Sequence, residues 1–272
     1  MRRLLLALSL ALLSTPATAQ RTIPTADLAT VSARGAAIYA YDQAAWHTSD
    51  TMVAKHLPEA VMRAIRGWVV EPRGDALTVT YFGEEDGKPY AIYIADYGHG
   101  AVSNERVPEA SGADRTLTPL GLRLAAARVA AINAGAALPR CSDRNYNSVV
   151  LPPDANGTIP VYLLTPQVEN DQYPMGGHHE IDIAPDGSVA AKRDFTKSCL
   201  VIGQPGAKAG EKPVALYITH LLDPHPTEIH VFTSLSAHYP VLVGTGATEI
   251  WSVEGARISK LDPKKLRGAA QP

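Results

Sequence analysis

His179-Glu180-Ile181-Asp182-Ile183, then Ala184-Pro185-Asp186-Gly187, then Val189-Ala190-Ala191-Lys192-Arg193 is the stretch that decides the fold. Two runs suited to strands flank a corner in which Pro fixes φ and Asp-Gly accepts a tight reversal, so the segment reads as a β-hairpin. A hairpin pairs its strands antiparallel without a crossover helix. Further strand-like runs are joined by similar polar corners, Pro72-Arg73-Gly74-Asp75 and Glu84-Glu85-Asp86-Gly87. The expected class is therefore α+β rather than alternating α/β.

Working outward, residues 148–151, 159–164 and 214–218 are strand-like, residues 226–237 look like a short helix, and residues 240–244 and 249–253 return to strand. Residues 119–135 carry helix signals at both ends, with Thr118 as N-cap, Pro119 in the first turn and Gly135 at the close. Residues 107–116, with Pro108 and Gly112, are the best linker. Before it, Ala36, Ala37, Tyr39, Ala40, Ala44, Ala45 and Trp46 recur near helical spacing, which predicts a helix from near Ser32 to just before Pro58. Strand runs at 67–71, 77–82 and 90–95, with a short fourth near 101–107, complete a meander behind that helix. The expected organisation is a leader over 1–19, a helix-plus-antiparallel-meander domain over 20–110 and a helix-and-sheet domain over 111–272, with antiparallel sheet in both halves.

Met1-Arg2-Arg3, the apolar residues 4–13 and Ala17-Thr18-Ala19 read as a secretory signal cleaved between Ala19 and Gln20. The apolar run is too short to span a bilayer, and no later segment approaches the ~18 apolar residues a span needs. A periplasmic or secreted location is expected. Loss of Arg2 and Arg3 takes the formal charge from -2 to -4. Without a basic cluster longer than Lys264-Lys265, no nucleic-acid footprint is present. The only cysteines are Cys141 and Cys199. In an oxidising compartment such a pair reads first as a disulfide, and its loop of roughly 60 residues would contribute about 4 kcal/mol in the chain-entropy model. Two free thiols or a shared metal site are the alternatives.

Residues 214–218 lead into Thr219-His220-Leu221-Leu222-Asp223-Pro224-His225-Pro226-Thr227-Glu228-Ile229-His230, which sets three of the nine histidines at five-residue intervals. Neutral imidazole is a ready zinc ligand, and a strand end followed by a Pro-rich corner can converge such side chains. Strand, corner and short helix together resemble the JAB/MPN fold, the scaffold of the JAMM metallopeptidases, over at most residues 117–255. Asp223-Pro224-His225-Pro226-Thr227 looks like the D-P-x-P-S/T stretch of its bacterial branch. The resemblance implies a helix-and-sheet scaffold with His220 as one ligand. It also shows departures. Ile218 stands where the first histidine of His-x-His belongs, His230 stands at the Asp position, and residues 110–168 hold no glutamate to act as the family's base.

Two chemical readings follow. In one, His220 and His230 hold zinc with His225 or Asp223, and Glu228 or a substrate group completes the site; His178 or Glu180, which share a strand face, could supply a missing ligand. In the other, these histidines are structural, metal and cofactor are absent, and no residue is catalytic. On the first helix, Tyr39, Asp42 and Trp46 share a face within a segment that also holds Tyr41, His47 and Asp50. Core packing is the ordinary explanation of such a face, and an aromatic ligand-binding groove the sharper one. No G-x-S-x-G supports a serine nucleophile. The expected function is thus a non-catalytic binding protein for a protein, peptide or small molecule. A zinc-dependent hydrolase acting on peptides or envelope material is the alternative, and a structural envelope component the third.

Overall fold

The computed structural model describes residues 28–110, 112–203 and 214–262, and the expected cleavage point at Ala19 and Gln20 lies outside them. Helix α1 (Leu28–Ala54) buries Val31, Gly35, Ile38, Tyr41, Ala44, Thr48 and Met52 at intervals of three or four, which keeps one face inward along its length. A short helix, α2 (Glu59–Ala64), begins directly after Pro58. Strands β1 (Gly67–Arg73), β2 (Ala76–Glu85), β3 (Lys88–Gly98) and β4 (Ala101–Arg106) then form an antiparallel meander in chain order. Two of its turns, Asp86-Gly87 and His99-Gly100, have φ of 52° and 74° and of 51° and 74°. Paired positive φ matches the twist of the flanking strands, and glycine adopts it without a Cβ penalty.

Helix α3 (Pro119–Gly135) starts as expected, with the Thr118 hydroxyl accepting from Gly121 N at 2.8 Å. The second sheet has the order β5 (Asn147–Val150), β6 (Ile159–Leu164), β8 (His179–Ile183) and β9 (Val189–Asp194), all antiparallel. The hairpin between β8 and β9 closes through Ala184 and Ser188, with Gly187 at φ 85°. Strands β7 (Gln172–Pro174) and β10 (Val201–Gly203) make a separate small ribbon.

The third sheet departs from the antiparallel expectation. Its order is β11 (Leu216–His220), β12 (Val241–Thr245), β13 (Glu249–Glu254) and β14 (Arg257–Leu261), and β11 pairs with β12 in parallel. Between them lies α4 (Glu228–Ala237), which carries the chain back to the end where β11 began. That crossover geometry permits parallel pairing where a hairpin turn cannot.

Two apolar clusters hold these layers together. One sets Leu124, Ala125, Ala127 and Ala131 of α3 between Val69, Phe82 and Ala91 of the meander and Val161, Leu163 and Ile181 of the second sheet. Alanines let the helix sit close to both. The other gathers Ile38 and Tyr41 of α1, Tyr81 and Tyr93 of the meander, Ile229 and Val231 of α4, and Val241 and Val253 of the third sheet. Both clusters mix residues from the two sides of position 110. Cys141 and Cys199 form a disulfide with a Cα–Cα distance of 5.2 Å. No described helix is long and apolar enough to cross a membrane.

Candidate functional site

At the end of β11, the corner of residues 221–226 turns the chain into α4, and its polar side chains fold inward. Thr227 caps the helix in a capping box whose reciprocal member is His230: the Thr227 N–H donates to His230 Nδ1 at 2.9 Å, and the Thr227 hydroxyl lies 3.0 Å from the same atom. Accepting at Nδ1 places the proton of the neutral ring on Nε2. Burial first, and the neighbouring His220 second, hold the imidazole well below its ordinary pKa. The rings of His220 and His230 meet edge to face with centroids 4.8 Å apart.

Beyond His220, a chain of charges runs through the buried interior. His220 Nε2 lies 2.9 Å from Asp223 Oδ2, and Arg193 Nη2 lies 2.9 Å from Asp223 Oδ1. Arg193 also reaches both carboxylate oxygens of Glu228 at 3.4 Å and stacks over Phe195 at 4.6 Å. The Tyr162 hydroxyl sits between Glu228 Oε1 at 3.0 Å and Glu180 Oε1 at 3.1 Å, and Arg34 meets Glu180 Oε1 at 3.0 Å. One phenolic proton can serve only one oxygen at a time, so the arginines supply the rest of the balance, Arg193 beside both Glu228 and Glu180 and Arg34 beside Glu180. Burial opposes the charge of Asp223, but His220 and Arg193 outweigh it and hold its pKa below the ordinary value. Burial followed by Glu180 and Glu228 pushes the Tyr162 phenol well above its ordinary range.

Glu228 is 0% exposed, Arg193 2%, Tyr162 0% and His220 3%, so the network is shielded from solvent. The network joins α1, β6, β8, β9, β11 and α4, and its paired charges make it a staple between layers. The sequence reading brought His220 and His230 together, and the structure does the same. The other two candidates are engaged by backbone groups. His225 Nδ1 faces Pro226 O at 2.8 Å, while His178 accepts from Thr165 N at 3.2 Å and faces Pro174 O at 2.8 Å. Among the described residues, no group of three or more His, Cys, Asp or Glu side chains is placed to hold a metal ion. Arg193, Tyr162 and Arg34 were missed in the sequence. The available signal was charge inside apolar strands, at Glu180 and Arg193 of the deciding hairpin.

Next to this staple the surface opens into a cleft of about 640 Å³. Helix α1 lines it with Tyr39, Asp42 and Trp46, the face that the helical spacing set apart, while Tyr41 of the same helix turns into the core. Trp68 of β1, Tyr81 of β2, Tyr173 of β7 and Phe232 of α4 add further rings. Trp46 is 56% exposed, yet it is held in a stack with His47 at 4.8 Å, and His47 stacks in turn on Tyr97 at 5.1 Å. The Asp42 carboxylate receives no hydrogen bond or ion pair from the described residues, and burial alone pushes its pKa up to about 6. Among the described residues, no Lys or Arg lines the cleft.

Comparison with known proteins finds no matching family model, no matching curated protein and no matching solved structure.

Proposed function

We propose that this chain is an exported, non-catalytic protein that binds a small organic ligand in the aromatic cleft. The observation that carries the reading is the cleft itself: about 640 Å³, with rings from α1, β1, β2, β7 and α4 converging on it. That volume suits a small molecule, and aromatic walls with a few placed polar groups are what such sites use. Support for export comes from the leader reading at Ala19 and Gln20 and from the Cys141–Cys199 disulfide, a bond that persists in oxidising compartments. On this reading the residues that resemble the JAB/MPN motif serve as scaffold, with His220, Asp223 and His230 committed to the staple.

The test is a small-molecule panel read by thermal shift and by the fluorescence of Trp46 and Trp68, on the parent and on Ala45→Phe, which fills the cleft from α1. Hits that bind the parent and are lost in the variant support the reading. A panel without hits, or hits indifferent to Ala45→Phe, would remove it. The zinc-dependent hydrolase draws less support from the same geometry, since His220 and His230 have each given a nitrogen to Asp223 or Thr227. Protein purified without chelator that keeps about one zinc per chain, and loses it on His220→Ala with His230→Ala, would restore that reading.

A further inference from the structure

We infer that the ligand of this cleft is an organic cation, with its charge set against Asp42 and its body laid on the aromatic rings. The inference rests on the cleft being the binding site and adds the chemical class of what enters it.

Charge is the first ground. Among the described residues, the lining holds two carboxylates, Asp42 and Glu169, and no Lys or Arg. Glu169 Oε2 is already engaged by Gln172 Nε2 at 2.6 Å, whereas nothing among the described residues engages Asp42. The other titratable groups that line the cleft are Tyr39 on the same helix as Asp42, Tyr81 on β2, Glu169 before β7, Tyr173 on β7, His178 before β8 and His238 after α4. His178 has both ring nitrogens bonded and is held neutral by burial, at a pKa of about 4. An anionic ligand would meet two like charges without a counterion. A neutral one would leave a partly buried carboxylate uncompensated, which is costly.

The rings are the second ground. Trp46 presents an open surface, and its stack with His47 and Tyr97 fixes the ring before any ligand arrives. Cations are drawn to aromatic faces by the ring quadrupole, and Trp and Tyr are the strongest partners. Arg128, packed 4.7 Å from the Trp68 ring and bonded to Ser148 and Arg66 O, already shows a cation held this way at the back of one cleft residue. A wall that offers such faces beside an unpaired carboxylate is complementary to a substituted ammonium group.

The experiment titrates the full chain with choline, benzyltrimethylammonium and a primary alkylamine, each beside a neutral twin in which carbon replaces the nitrogen. At neutral pH at least one cation should bind about tenfold or more tighter than its twin, the scale that one ion pair and one or two cation–π contacts supply. Asp42→Asn, a near-isosteric change, should erase that preference while leaving the affinity for the twin. Acidification should weaken the cation as pH falls through about 6, where Asp42 takes up its proton, and leave the twin unaffected. If the twins bind as tightly as the cations, if only neutral polyols bind, or if Asp42→Asn keeps the preference, the cation inference is overturned and the cleft reading stands. If no member of any pair binds, or binding ignores Ala45→Phe, both fall together.

Discussion

Burial raises the pKa of Asp42, which predicts a carboxylate that costs the fold stability. Its pKa in the folded chain, about 6, lies above the ordinary 3.8, so the folded state holds the proton more tightly than the unfolded one. Stability therefore falls as pH rises through that window, and at neutral pH the full penalty is present. Asp42→Asn should accordingly raise the unfolding free energy by about 1–2 kcal/mol at pH 7, with the gain shrinking below pH 6 and gone below about 4. Urea unfolding across that range checks the claim, and a variant no more stable than the parent at pH 7 would show that Asp42 is solvated after all. Arg193 is the opposite case. Its guanidinium pairs with Asp223, Glu228 and Glu180 together. Arg193→Met removes the shared cation and leaves buried carboxylates facing one another, a loss of about 3–5 kcal/mol. Denaturant unfolding should show it, and a loss below about 1 kcal/mol would mean the staple reorganises around its anions.

At the scale of elements, the contact between α1 and α4 is the joint on which both staple and cleft depend. Gly35 makes it possible: a Cβ built there would stand 2.5 Å from Val231 Cβ and 2.7 Å from the Glu228 carbonyl oxygen. Helix propensity alone favours Gly35→Ala by about 1 kcal/mol. Forcing the helices apart costs about 1–3 kcal/mol and also pulls Arg34 from Glu180 and Glu228 from Arg193, so the expected net result is destabilisation by about 2 kcal/mol. Thermal melts decide it, and a stabilised Gly35→Ala would mean that α1 and α4 separate freely. Elements with local signals were legible in the sequence. The β8–β9 hairpin came from Pro185-Asp186-Gly187 and α3 from Thr118 and Pro119, while the shared face of Tyr39, Asp42 and Trp46 was legible from its spacing but read first as core packing, and it lines the cleft instead. What stayed hidden is non-local. The parallel pairing of β11 with β12 is set by where α4 returns the chain, and the β7–β10 ribbon joins segments whose pairing no turn between them announces. The staple was half visible, since His220, Asp223, Glu228 and His230 share one segment. Its keystones Arg193, Tyr162 and Arg34 arrive from three other elements.

For the whole molecule, the disulfide connects the fold's stability to the shape of the cleft. Cys141 and Cys199, 58 residues apart, tie the connection after α3 to the segment leading into β10. Cys141 packs against the backbone of Gly177: a Cβ built at Gly177 would lie 2.7 Å from Cys141 Sγ and 2.7 Å from Thr165 Oγ1. Thr165, Pro174 and His178 are cleft residues, so the bridge packs beside part of the cleft lining. Two effects of reduction then separate. Releasing the loop restores chain entropy to the unfolded state and should lower the unfolding free energy by about 4 kcal/mol, seen as a lower urea midpoint in reductant. Loosening the wall acts on the folded state, and under conditions where the reduced chain remains folded it should weaken whatever the cleft binds by about threefold or more, since a site that must order itself on binding loses affinity. Cys141→Ser with Cys199→Ser should reproduce both effects without reductant. If the double variant loses stability but binds as the parent does, the bridge acts on the unfolded chain alone, and the cleft wall owes its shape to the bonds of His178 with Thr165 and Pro174.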